Sequence, residues 1–411
     1  MRVACDCDVP IATCLSGGLD SSSILCTLAA MSKSGTSRLT SDYHRAFVAT
    51  FEGTGHDERE YAEAAIEKAG ADARYRPMNS GALTEDLLQF AYDFEFIGHG
   101  LMLPVWAIYR ELRRDGIVVS MDGLGADELP MGYPRNLKTH LMANGSLTRC
   151  PLRTFDLART FHGQYPDGRS VASILSESDA FLRSLRRIAG RVRRGFKPIP
   201  AKTQIQGSDW FSPWTSSSND VDASERAAMN SLTPMNRDLY RQFHYTSNRN
   251  LLKMYDRMSM AHGVGVRLPF LDWRLVTYCF SLPEESKIGG GYSKRILREA
   301  MRGILPEKVR TRTRKIGFRS PLMDWMNGDL GDWVAQRVQT RHFLEGRVSN
   351  GPAIRAFVAQ RHAAKDWNTG DAGRVWRHLQ ADLWREAFFP GKTDAPPKLV
   401  LLGASLSEVE A

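Results

Sequence analysis

The sequence predicts an α/β fold: a parallel sheet, interrupted by a helical insertion and followed by a helical C-terminal region. Three observations carry that expectation. Short apolar runs with β-branched residues alternate with helix-period segments in the first third of the chain. Two of the runs end in glycine-rich loops that carry carboxylates, at residues 16–22 and 122–128. Beyond residue 136 the strand signal fades, and basic helical segments with loops replace it. The expected division is a first core segment over 1–136, a helical insertion over 137–245, the remainder of the core over 246–325 and a C-terminal helical region over 326–411.

The first strand falls within Val9-Pro10-Ile11-Ala12-Thr13-Cys14-Leu15. A helix follows over residues 21–31, with Ile24, Leu25, Leu28 and Met31 on one face. Between them, Gly17 and Gly18 let the backbone turn sharply and bring its N–H groups close to a ligand. Ser21 and Ser22 cap the helix start or present hydroxyls. Strand, Gly/Ser turn and helix amino terminus together make an anion cradle. Asp20 sits inside it, where a bare carboxylate would repel phosphate. A divalent cation between the two resolves the conflict, since Mg²⁺ is held by one or two carboxylates plus phosphate oxygens. No Gly-Lys-Ser/Thr follows the glycines, so this is not a Walker loop.

Residues 45–51 read as the second strand, and the acidic pair Asp57-Glu58 opens a helix reaching about Gly70, with Tyr61, Ala65, Ile66 and Ala69 inward. Helices are expected near residues 82–92 and over 104–115, the latter with proline at its first position. The strand at 116–121 delivers Asp122-Gly123-Leu124-Gly125-Ala126-Asp127-Glu128. Ligands of open α/β sheets bind beyond the carboxyl ends of the strands, so both loops should face one crevice. Asp127 then becomes the second carboxylate for the metal that Asp20 implies. Further on, residues 250–262 carry apolar side chains at helical spacing, and 293–300 form a basic amphipathic helix. In the insertion, Trp210, Phe211 and Trp214 are either core or a stacking surface.

The run Ser16-Gly17-Gly18-Leu19-Asp20-Ser21-Ser22 resembles the pyrophosphate-binding loop of ATP pyrophosphatases, and its wording is closest to the synthetase domain of asparagine synthetases. The likeness covers most of residues 8–325. It implies the ATP-pyrophosphatase fold, with ATP and Mg²⁺ as cofactors and release of AMP and pyrophosphate as a carboxylate becomes an amide. Leu15, Ser16, Gly17, Gly18, Asp20, Ser21, Ser22, Ala49, Asp122 and Gly123 are the expected nucleotide-binding residues, and Asp20 and Asp127 the metal ligands. The family's Asp-Arg-x-Ser-Met-Ala stretch matches at Asp256 and Arg257, which marks Asp256 as a catalytic candidate. Its Lys-x-Gly-Phe motif falls on Lys315, Gly317 and Phe318, and the lysine is expected to neutralise charge during adenylation. Two positions depart from the pattern. Leu124 stands where asparagine synthetases have Glu and β-lactam-forming relatives have Tyr, and Gly265 stands where the family has another Glu.

The resemblance implies aspartate as the first candidate substrate, or another small-molecule or peptide carboxylate. Glutamine-dependent members begin with a glutaminase domain whose cysteine follows Met1, whereas residue 2 here is Arg. Nitrogen is therefore expected from free ammonia, a separate glutaminase or the substrate's own amine, as in lasso-peptide and β-lactam cyclising relatives. The net charge is +9, with Arg183, Arg186, Arg187, Arg191, Arg193, Arg194 and Lys197 in one helix-like stretch. That stretch is either a solvated face or a patch for an acidic partner. An RNA-modifying role would want paired cysteines or an RNA-binding appendage, and neither is evident. The six scattered cysteines, and no apolar run of the ~20 residues needed to span a bilayer, point to a reduced, cytoplasmic protein without a membrane partner.

Overall fold

The computed structural model describes residues 8–34, 45–97, 100–144, 150–164, 170–178, 223–314, 316, 320–346 and 348–389. Five strands, β1 (Ile11–Cys14), β2 (Arg45–Thr50), β3 (Asp72–Pro77), β4 (Val119–Met121) and β5 (Gly265–Arg267), form one parallel sheet in the order β3-β2-β1-β4-β5. The register pairs Thr13 with Ala46 and Ile11 with Val119. Helices α1 (Leu19–Lys33), α2 (Arg59–Ala69), α3 (Leu103–Arg114) and α4 (Ser247–Met260) accompany the sheet.

This order creates the binding crevice. From β1 the chain steps outward to β2 and β3, then returns to lay β4 on the other flank of β1. The strand order therefore reverses between β1 and β4, and at such a switch point the loops leaving two neighbouring strands part and open a cleft. Both glycine-rich loops leave those two strands.

Two strands exceed the sequence expectation. The alternation in Asp72-Ala73-Arg74-Tyr75-Arg76-Pro77 is hidden by its charges, because β3 is an edge strand with four of six residues exposed. β5 is only three residues long and includes Gly265, so no local propensity announces it. The helix expected over 82–92 is two shorter ones, Ser80–Thr84 and Leu87–Phe94.

Packing sorts the described residues into two units. The first holds the sheet, its helices and the helices between residues 134 and 260; the second joins Ser80–Gly100 to the chain from Leu322 onward. Within the first, Leu15, Leu25, Val48, Ala62 and Ala65 build the core on one side of the sheet, while Ile11, Ile24, Leu28 and Met121 form another cluster. Helices Pro134–Asn144, Pro151–Gln164 and Pro234–His244 share a separate core of Leu137, Leu141, Leu157, Phe161 and Leu239. In the second unit, Trp376 is fully buried on helix Thr369–Phe388 and its Nε1 donates to the carbonyl of Gly100 at 3.2 Å. The arginine-rich stretch and Trp210, Phe211 and Trp214 lie outside the described residues. No described helix is long and apolar enough to cross a membrane.

Candidate active site

A cavity of about 470 Å³ opens at the carboxyl ends of β1, β2 and β4. Of the residues read from the sequence, Leu15, Ser16, Gly18, Asp20, Ser21, Ala49, Asp122, Gly123 and Asp127 line it. Gly17 and Ser22 do not: they shape the loop from beneath. Gly17 has φ +76°, and a Cβ there would meet the Glu58 carbonyl oxygen at 2.7 Å and the Ala62 nitrogen at 2.8 Å. Ser22 is fully buried inside α1.

The first loop is braced locally. The Ser16 N–H donates to Ser21 Oγ at 3.2 Å, and the Gly18 N–H to Ser16 Oγ at 3.3 Å. The second loop packs directly on it. A Cβ at Gly123 would lie 3.0 Å from both Asp20 Cβ and the Ser21 nitrogen, so a side chain there would press the two loops apart by a few tenths of an ångström.

Asp20 and Asp127 converge on one point, and Lys294 occupies it. The Lys294 ammonium lies 2.6 Å from both carboxylate oxygens of Asp20 and 2.6 Å from Asp127 Oδ1. Burial alone would push this lysine's pKa down, but the Asp127 and Asp20 charges outweigh it and hold it above the ordinary value. Two carboxylates closing on a single cation form a donor pair that fits a divalent ion completed by phosphate oxygens. Among the described residues no larger group of metal-ligating side chains exists. Lys294 was missed in the sequence because its neighbour Arg295 looks equivalent. Only its left-handed backbone (φ 53°) and the hydrogen bond from its N–H to the Pro130 carbonyl turn it inward.

Asp122 lies deeper. Ser120 Oγ donates to its Oδ1 at 2.6 Å and the Tyr109 hydroxyl donates to its Oδ2. Burial raises its pKa, and those two hydrogen bonds offset only part of the rise. Glu128 accepts from the Tyr133 hydroxyl at 2.5 Å, and burial together with the Asp127 charge likewise lifts its pKa. Glu128 lines the cavity. Glu58 pairs with Arg312 at 2.5 Å.

Asp256 is exposed on α4 and does not line the cavity; Tyr255, one residue and about 100° earlier on the helix, does. Lys315, Gly317 and Phe318 lie outside the described residues, although Arg314 and Ile316 beside them line the cavity. Leu124 faces the cavity. At Gly265 a Cβ would meet only the Val118 carbonyl at 3.7 Å, so the backbone does not demand glycine there.

A parallel sheet with its strand order reversed between two glycine-rich loops, and two carboxylates facing each other across them, defines an α/β nucleotide-site protein of the ATP-pyrophosphatase type. Comparison with known proteins agrees. Residues 1–386 match the asparagine synthase family, and the chain belongs to it. It is 25% identical over 406 residues to asparagine synthetase (glutamine-hydrolyzing) 1 of Bacillus subtilis (strain 168), covering 96% of this chain and 59% of that protein. A putative asparagine synthetase (glutamine-hydrolyzing) of Mycobacterium bovis is 27% identical over 394 residues, covering 93% of this chain and 55% of the relative. Amidase chry2 of Gibberella zeae is 25% identical over 371 residues, covering 82% and 53%. The chain thus spans a little over half the length of these relatives.

Proposed function

We propose that this protein is an ATP-dependent ligase that turns a carboxylate into an amide by way of an acyl-adenylate. The observation that carries the reading is the convergence of Asp20 and Asp127, from two separate glycine-rich loops, on the Lys294 ammonium. Such an arrangement suits a pyrophosphate with its metal. When bound, Mg²⁺ would supply charge neutralisation on the departing pyrophosphate, held by Asp20 and Asp127.

The chain's own residues account for the rest. The hydroxyls of Ser16 and Ser21, held in place by the Ser16 and Gly18 N–H groups, face phosphate oxygens, while Leu15 and Ala49 border the base. A carboxylate oxygen of the substrate bonds to the α-phosphorus, and the bond from that phosphorus to the β-bridging oxygen breaks, leaving pyrophosphate with the electron pair. An amine nitrogen then bonds to the acyl carbon; the bond to AMP breaks, and the nitrogen loses a proton. Leu124 cannot take that proton, and Glu128, which lines the cavity, is the residue to which that role is assigned. Lys294, and Lys315 by the resemblance, balance the charge that migrates onto pyrophosphate.

The names of the relatives, asparagine synthetases (glutamine-hydrolyzing), favour aspartate as the acyl substrate and ammonia derived from glutamine as the nitrogen source. A second reading rests on Leu124: with no acid there, the amine can belong to the substrate itself, giving a cyclised product. Pyrophosphate release from ATP, measured across carboxylates with ammonium present, tests the central claim. Release that depends on a carboxylate and on Mg²⁺ is expected; ATP turnover indifferent to any carboxylate would overturn it.

A further inference from the structure

Far along the chain, residues 307–316 return to the first glycine-rich loop by way of α2. Val309, on the short helix Glu307–Arg310, is buried in the core it shares with Leu15, Ala62 and Ala65. Past that helix, Arg312, Arg314 and Ile316 line the same cavity as Ser16 and Gly18. Two anchors fix this segment. Arg298 Nε donates to the Ser293 carbonyl at 2.9 Å and its Nη1 to the Arg310 carbonyl at 2.5 Å, tying the start of the segment to the backbone next to Lys294. Arg312 Nη1 lies 2.5 Å from Glu58 Oε1, and its guanidinium stands over the Tyr61 ring, 4.0 Å from the centroid.

Glu58 and Tyr61 are three residues apart at the start of α2, so one helix face supplies both the carboxylate and the ring. The Glu58 side chain makes no capping bond to its own helix, and its backbone carbonyl is an atom on which Gly17 rests. One residue therefore meets the first loop through its backbone and the returning segment through its carboxylate. The pair constrains geometry more than it adds stability. With only 9% and 8% of the two side chains exposed, both charges are out of water, and that desolvation offsets much of their attraction. Arg312 Nε is buried as well and has no hydrogen-bond partner among the described residues, a further cost. What the pair secures is the place of the residues that follow, among them the exposed Arg314 on the cavity wall.

Building on the ligase reading, we infer that Arg312 is a positioning residue: gripped by Glu58 and Tyr61, it holds residues 312–316 against the first loop so that Arg314 meets the charge on the departing pyrophosphate. The full chain should be assayed with ATP, Mg²⁺, ammonium and L-aspartate, or the carboxylate that supports the parent best. In Glu58→Gln, single-turnover pyrophosphate release should slow about 100-fold, the scale of a misplaced group. ATP affinity, read by equilibrium binding, should stay within about threefold, as for an interaction made only in the transition state. Trypsin supplies a readout that needs no substrate. Cleavage after Arg312 and Arg314, relative to cleavage after Arg257 in α4, should rise about tenfold in this variant as the segment opens locally. Tyr61→Leu keeps the ion pair and should move both readouts the same way by about threefold, which serves should Glu58→Gln fail to fold. ATP affinity falling in step with the rate would mean that Glu58 only supports the first loop. Unchanged release, or an unchanged trypsin ratio, in a folded variant would mean that the pair positions nothing. Each of these overturns the inference and leaves the ligase reading standing. A parent that binds ATP yet releases no pyrophosphate with any carboxylate overturns both the ligase reading and the role of Arg314.

Discussion

The loop after β1 and the loop after β4 stand side by side, yet they are held in different ways. The first is braced within itself: Ser16, Gly18 and Ser21 bond to one another, and Gly17 rests on the backbone where α2 begins. The second depends on distant side chains. Asp122 is fixed by Tyr109 from α3, and Asp127 by Lys294, far along the chain. A cradle made of backbone tolerates many side-chain changes but not the loss of its glycine. A loop held by buried charges fails when one distant residue is changed.

The comparison breaks most sharply at the carboxylates that the loops share. Asp20→Asn and Asp127→Asn should each abolish pyrophosphate release while far-ultraviolet circular dichroism stays native. Near-normal turnover in both variants would remove their metal role. Lys294→Ala comes next. It leaves two carboxylates facing each other, so turnover should fall by about two to three orders of magnitude and stability by about 3 kcal/mol. Urea unfolding and single-turnover pyrophosphate release separate these effects; a variant as stable as the parent would mean that Asp20 and Asp127 are solvated well enough without the lysine.

Glycine substitutions sharpen the contrast further. Gly17 and Gly125 both have positive φ, but a Cβ on Gly17 meets backbone atoms whereas on Gly125 it meets the tip of Leu271 at 2.3 Å. Backbone cannot step aside; a leucine can rotate. Gly17→Ala should cost about 3 kcal/mol and Gly125→Ala about 1–2 kcal/mol by chemical denaturation. The reverse order would show that α2 yields more easily than Leu271.

The smallest effect concerns acidity. The Asp122 pKa is raised in the fold, so the folded state binds more protons than the unfolded one above the ordinary aspartate value of about 3.9. Its contribution is favourable below that value and is lost as pH rises through the raised pKa. Asp122→Asn keeps the neighbouring hydroxyls as partners but carries no charge, so its Tm at pH 7 should exceed the parent's by about 2–4 °C, with no gain at pH 4. Equal gains at both pH values would point to packing instead.

The sequence by itself determined the class of fold, the two loops and the family. The β-strand and helix periods, the glycine turns and the acids at Asp20 and Asp127 are local signals, since each depends on residues within a few positions of one another. The tertiary structure decided what distance along the chain conceals. β3 and β5 exist because neighbours supply their hydrogen bonds, and their own composition argues for neither strand. The same holds for Lys294, which is distinguished from Arg295 only by a left-handed turn docked on Pro130, and for Tyr255, whose place in the cavity depends on how α4 packs against α3.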